Sequence, residues 1–114
     1  MTKKETTITL VDLPKISLNE FYAGKHWSVR KKIKDNFALL VRSQTKLKID
    51  YPCEVEYVFT FTKNPLDCSN VCGGMVKILE DVLFPDDSPK IVKSIKVTSK
   101  KGNDNFVHIK IKEY

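Results

Sequence analysis

Between Cys53 and Phe61 every second residue is apolar: Cys53, Val55, Tyr57, Phe59 and Phe61 alternate with Glu54, Glu56, Val58 and Thr60. A period of two over nine residues belongs to a strand with one face buried and the other turned outward. A single strand cannot cover its own aromatic row, so the rest of the chain has to supply a sheet and a covering layer.

The flanking sequence supplies both. Over residues 27–46, Val29, Ile33, Phe37, Leu40 and Val41 recur at helical spacing. Their arc lies opposite Lys31, Lys32, Arg42 and Lys46, which predicts an amphipathic helix with a basic outer face. A second helix is predicted from Ser69 or Asn70, either a good N-cap, to Leu83. Thr6, Ile8 and Leu10 alternate with polar neighbours and predict a first strand over 5–11. Residues 14–24 and 84–89 read as loops, and Asn64-Pro65 as a break after the aromatic strand. Strands at about 90–99 and 105–112 flank the turn at 100–104, and their closeness in sequence predicts a hairpin. The expectation is one α+β domain over residues 1–114, a mixed β-sheet covered by two helices in the order β-α-β-α-β-β.

Composition narrows the class. No apolar run approaches the roughly 20 residues of a membrane span, and the N-terminus has no apolar stretch of the secretory type. A soluble cytoplasmic protein with no membrane partner is expected. The three cysteines, Cys53, Cys68 and Cys72, form no CxxC pair and are expected to be small buried thiols rather than a disulfide frame or a zinc site. The lone Trp27 is expected to pack on the core, with base stacking as the alternative. His108 is expected to be structural. Glu54 and Glu56 share the outward face of a strand that leads toward Asp67.

The net charge of +6 is segregated. Residues 25–48 carry eight bases and one acid, and residues 90–112 carry seven lysines and one acid. Residues 64–89 carry Asp67, Glu80, Asp81, Asp86 and Asp87 against Lys77 alone. Basic flanks around an acidic island suit a polyanion binder that holds a cation at its centre. On a wheel of 100° per residue, Asn70, Lys77 and Asp81 form one polar stripe of the second helix, with Asp67 before it and Asp86-Asp87 after it. Gly73 and Gly74 interrupt that helix, at a cost of about 1 kcal/mol each relative to alanine. Converging carboxylates without His or Cys partners suit Mg²⁺ or Mn²⁺ rather than zinc. Such an ion activates water and stabilises charge on a scissile phosphate.

The pattern Asp67-x-x-Asn70-x6-Lys77-x3-Asp81-x4-Asp86-Asp87, followed by Ile91-Val92, resembles the RusA-type Holliday junction resolvases, small endonucleases of phages and prophages. The segment Leu13-Pro14…Ser17-Leu18-Asn19-Glu20-Phe21-Tyr22, followed by a basic helix, is similar to the N-terminal half of that family. The resemblance implies a homodimer that cuts four-way DNA in recombination and repair with Mg²⁺ (or Mn²⁺), in the cytoplasm of a bacterial host. It implies Asp67, Lys77 and Asp87 as catalytic residues, and Asp67 and Asp87 as metal ligands. Asp81 and Asp86 stand at acidic positions of the metal site, and Ser69 and Asn70 in the positioning motif. Lys31, Lys32, Arg42, Lys46, Lys100 and Lys101 are the candidate DNA contacts. Two departures stand out. Ser69 occupies the place of a second metal-ligating aspartate, and Lys77 follows Asn70 by seven residues rather than three. The Ser69 departure raises an alternative, a structure-selective DNA-binding protein of the same fold with impaired catalysis.

Overall fold

A computed structural model describes residues 4–16, 27–84 and 91–114. Most of the loops at 84–89 and 14–24, and the whole motif segment 17–22, therefore lie outside the described residues. Among the described residues the elements are β1 (Glu5–Val11), α1 (Trp27–Gln44), β2 (Cys53–Phe61), α2 from Cys68 to Leu83, β3 (Val92–Lys101) and β4 (Phe106–Glu113). The α+β class, the mixed sheet and the two helices are as the patterns predict. No described helix is long and apolar enough to cross a membrane.

The sheet order is β1-β4-β2-β3, with β4 antiparallel to both neighbours and β3 parallel to β2. The expected hairpin between the last two strands does not form, because β2 lies between them. Locally, a turn flanked by two strands looks like a hairpin. The sheet is decided by burial instead. In β4 the alternate residues Val107, Ile109 and Ile111 are at most 1% exposed, which suits an interior strand. In β3, Lys93, Lys96, Lys100 and Lys101 suit an edge, where lysine discourages further pairing. The connection of residues 102–105 has to span about 10 Å, two inter-strand spacings. It does so across the end of β2. The Gly102 amide donates to the Phe61 carbonyl at 2.9 Å, and the Thr62 amide donates to Asn105 Oδ1 at 3.0 Å. A Cβ on Gly102 would run into the buried Thr60 Cγ2 methyl, so any larger residue at the crossing would have to displace it. The same crossing buries Thr60, although Thr60 belongs to the outward row of β2.

Both helices cover one face. Cys53, Val55, Tyr57, Phe59 and Phe61 form a buried row with Leu10, Val107, Ile109 and Ile111. Phe37 and Val41 of α1, and Val71, Met75, Leu79 and Leu83 of α2, close over it. The end of α1 is pinned to β1 by a reciprocal pair, in which the Val11 amide donates to Gln44 Oε1 at 2.7 Å and Gln44 Nε2 donates to the Val11 carbonyl at 2.8 Å. Among the described residues no helix covers the opposite face of the sheet. There His108 hydrogen-bonds Thr9 at 2.9 Å, and Glu56 pairs with Lys96 at 3.6 Å. Glu54 and Glu56 thus point away from the helix that carries the acidic island.

Three local expectations change. Trp27 is 62% exposed and does not pack on the core. Only Cys53 of the three thiols is fully buried; all three are free, and Cys68 is exposed. In α1, Val29 and Leu40 are exposed, so the apolar stripe that meets the core is narrower than the sequence arc.

Candidate functional site

The acidic island begins where β2 ends. Asn64 takes a left-handed conformation with φ of 44°, which asparagine tolerates, and the chain turns through Pro65 into α2. Asp67 is the N-cap. Its Oδ1 accepts the Asn70 backbone amide at 2.9 Å, and its Oδ2 accepts Asn70 Nδ2 at 3.3 Å. The carboxylate therefore satisfies an otherwise orphaned helix donor and orients the Asn70 side chain. Asp67 remains exposed, open to a further ligand. Ser69 lies in the first turn behind it.

After this turn the helix changes pitch. Cys68–Val71 is α-helical, Cys72–Val76 forms a π turn, and Lys77–Leu83 resumes the α form. Gly73 and Gly74 lie inside the π turn. A π turn accommodates one extra residue, so everything beyond it is rotated back by about 100° relative to a continuous α-helix. The single stripe of Asn70, Lys77 and Asp81 is accordingly split. Lys77 and Asp81 remain one turn apart on a common side, and Asn70 is displaced from them by about a quarter turn. The core side stays continuous because Val71, Met75, Leu79 and Leu83, spaced by four, all remain buried.

The two acids of the second half differ in environment. Asp81 is half-exposed and pairs with Lys34 of α1 at 2.7 Å, a tie between the helices. Glu80, which the sequence reading did not single out, is half-buried. Burial pushes its carboxyl above the usual glutamate range, the adjacent Asp81 adds to the rise, and Lys77 opposes it. Below Glu80 sits Tyr57, whose hydroxyl is fully buried with no hydrogen-bond partner among the described residues. Burial first, then Glu80 and the thiols of Cys53 and Cys72, push the Tyr57 phenol well above its ordinary value. Burial also raises the Cys72 thiol. One signal for this buried polar patch was visible in the sequence, since Tyr57 is the single hydroxyl-bearing ring in the apolar row of β2.

The raised Glu80 carboxyl has a consequence for stability. Between the ordinary glutamate value of 4.5 and the raised one, the folded chain holds a proton that the unfolded chain has lost. Folding is therefore progressively disfavoured as pH rises through that window. Glu80→Gln is expected to raise the midpoint of thermal unfolding at pH 7, with the gain shrinking to nothing below pH 4.5. A gain that is flat with pH, or grows toward acid, would contradict this assignment.

The remaining candidates divide by position. Lys77, Lys32, Lys46, Lys100 and Lys101 are exposed, with Lys46 beyond the end of α1 and Lys100 and Lys101 closing β3. Lys31 is exposed and pairs with Asp35 at 3.6 Å. Arg42 turns inward: its guanidinium donates to the carbonyls of Leu47 (2.9 Å), Thr45 (3.4 Å) and Val82. Asp86 and Asp87 lie outside the described residues. Among the described residues no three acidic, histidine or cysteine side chains come together as a metal cage. The described donors, the Asp67 and Asp81 carboxylates, are hard oxygen ligands of the kind that suits Mg²⁺ or Mn²⁺. No protein-family model matches the chain, and comparison with curated proteins finds no match either.

Proposed function

We propose that the protein is a Mg²⁺- or Mn²⁺-dependent endodeoxyribonuclease that resolves four-way DNA junctions as a homodimer. The observation that carries this reading is the ordered set Asp67, Asn70, Lys77, Asp81, Asp86 and Asp87 within one helix and its two flanks, set between two lysine-rich segments. In the fold, Asp67 caps α2 with its carboxylate exposed, and Lys77 stands exposed further along the same helix. In this reading Asp67 and Asp87 would hold the ion, with Asp86 contributing, and the exposed Lys77 ammonium offsets charge developing on the phosphate. Asp81, about 21 Å along α2 from Asp67 and paired with Lys34, stands apart from Asp67. A bound divalent ion supplies water activation and Lewis-acid stabilisation of the phosphate. Asn70 positions Asp67 through its side-chain amide. The exposed lysines Lys31, Lys32, Lys46, Lys100 and Lys101 neutralise backbone phosphates and make binding steeply salt-dependent.

A second reading, junction binding with impaired cleavage, is favoured by two observations. Ser69 stands where the resemblance places a carboxylate, and Asp81 is already paired with Lys34. Cleavage of a synthetic four-way junction in Mg²⁺ and in Mn²⁺ separates the readings. Metal-dependent cutting supports the nuclease. Tight, salt-sensitive binding with no cutting in either metal supports the second reading, and equal affinity for linear duplex overturns both.

A further inference from the structure

The exposed Trp27 is not isolated. Trp27, Arg30, Lys31 and Lys34 follow one another at helical spacing (i, i+3, i+4, i+7) and line a shallow concavity on α1. Helical side chains lean toward the N-terminus, which brings the stems of the half-buried Arg30 and the exposed Lys31 over the turn that presents the indole. The first turn of this 18-residue helix contains no acid, so its positive end adds to the field. At the far end of the stripe, Lys34 meets Asp81 of α2 at 2.7 Å. The stripe therefore runs from an exposed aromatic ring to the helix that carries the acidic island.

An exposed ring flanked by cations is what a single-stranded nucleotide needs. The ring takes the base face, and the cations take the phosphates on either side. A duplex base pair is stacked on both faces and has no face to offer. We propose that Trp27, with Arg30, Lys31 and Lys34, forms a stacking site for an unpaired base of a branched DNA substrate, placing the neighbouring phosphate toward Asp81 and Lys77. This rests on the nuclease reading for its substrate and adds how the branch is told from linear duplex. The ion pairs of Lys31 with Asp35 (3.6 Å) and of Lys34 with Asp81 are solvent-exposed and weak enough for phosphate to compete.

Trp27 is the sole tryptophan of the chain, so its fluorescence reports the site directly. The full chain is titrated in EDTA with a short oligodeoxythymidine and with a duplex of the same length. Saturable quenching by the single strand, with little by the duplex, is expected. Trp27→Ala is expected to weaken single-strand binding, read by anisotropy of a labelled oligonucleotide, by about five-fold or more, with Trp27→Phe retaining most of it. Circular dichroism checks that both variants fold, and Lys31→Glu gives an independent variant with the same expected loss. Absence of quenching, equal quenching by duplex, or unchanged affinity in Trp27→Ala would overturn the stacking site. Because no divalent ion is present, the outcome is separate from cleavage. Stacking without junction cutting in Mg²⁺ or Mn²⁺ would overturn the nuclease reading alone, and cutting without stacking would overturn this inference alone.

Discussion

Arg42→Ala is expected to lower the stability of the fold by about 2–4 kcal/mol, as read by chemical or thermal unfolding. The guanidinium joins three chain segments. It donates to the carbonyls of Thr45 and Leu47, where the chain leaves α1, and to the Val82 carbonyl in the last turn of α2. Carbonyls at helix C-termini have no partner within the helix, and a cation there is also favoured by the helix dipole. Next to this contact the Ile49 amide donates to the Leu83 carbonyl at 2.8 Å, so the loop after α1 is sewn to the end of α2. Deleting the side chain strips charge-assisted bonds from several partly buried carbonyls at once. Arg42→Lys is expected to recover less than half of the loss, because an ammonium on a single stem cannot reproduce a planar fork that reaches both helices. The same pair of variants tests Arg42 as a DNA contact. If its role is the one drawn by these bonds, the folded Arg42→Ala protein binds junction DNA with unchanged affinity and salt slope, whereas loss of a phosphate contact would flatten that slope by about one unit. Full stability in Arg42→Ala would refute the structural role.

What the sequence disclosed follows from which forces act locally. The alternation of β2 was legible because burial on one face imposes a period of two that no helix shares, and Asn64-Pro65 marked its end for steric reasons. The pairing of β3 with β4 was misread because nearness in sequence stands in for nearness in space only when nothing comes between. Here the lysines of β3 and the buried isoleucines of β4 were the better guide, since they separate an edge strand from an interior one. Gly102 marked the tight crossing without saying what it crosses. The π turn escaped the helical wheel because a wheel assumes one pitch throughout, although Gly73-Gly74 flagged the place where the pitch changes. Trp27 was assigned inward because large rings are usually buried, yet its neighbours at i+4 and i+7, Lys31 and Lys34, are exposed cations. Glu80 stood among the acids of the island without being singled out, because its distinction is depth, which a one-dimensional pattern of charges does not contain.

The acidic island itself is best probed by a pair of opposed substitutions. Asp87→Asn is expected to reduce junction cutting by at least a hundredfold, on the order of what removing one principal electrostatic contributor costs an active site. Junction binding in EDTA should be unaffected. Removing a carboxylate that repels the DNA backbone does not weaken the grip, so the variant separates binding from chemistry. Ser69→Asp works in the other direction. It adds a carboxylate in the first turn of α2, where the positive end of the helix accommodates it, two residues from the Asp67 carboxylate already held by Asn70. Two acids so placed raise each other's pKa unless a cation lies between them. Ser69→Asp is therefore expected to tighten Mn²⁺ binding and to raise the cutting rate at limiting metal, with the gain shrinking as metal approaches saturation. Titrating Mn²⁺ against cutting rate for the wild type and both variants gives the answer in one experiment. A shift of the metal midpoint in Ser69→Asp, combined with lost cutting in Asp87→Asn, supports both positions as contributors to metal-dependent cutting. Gain in Ser69→Asp from an uncuttable wild type assigns the impaired-nuclease reading. Equal cutting by Asp87→Asn and wild type removes Asp87 from the chemistry, and the metal-site reading with it.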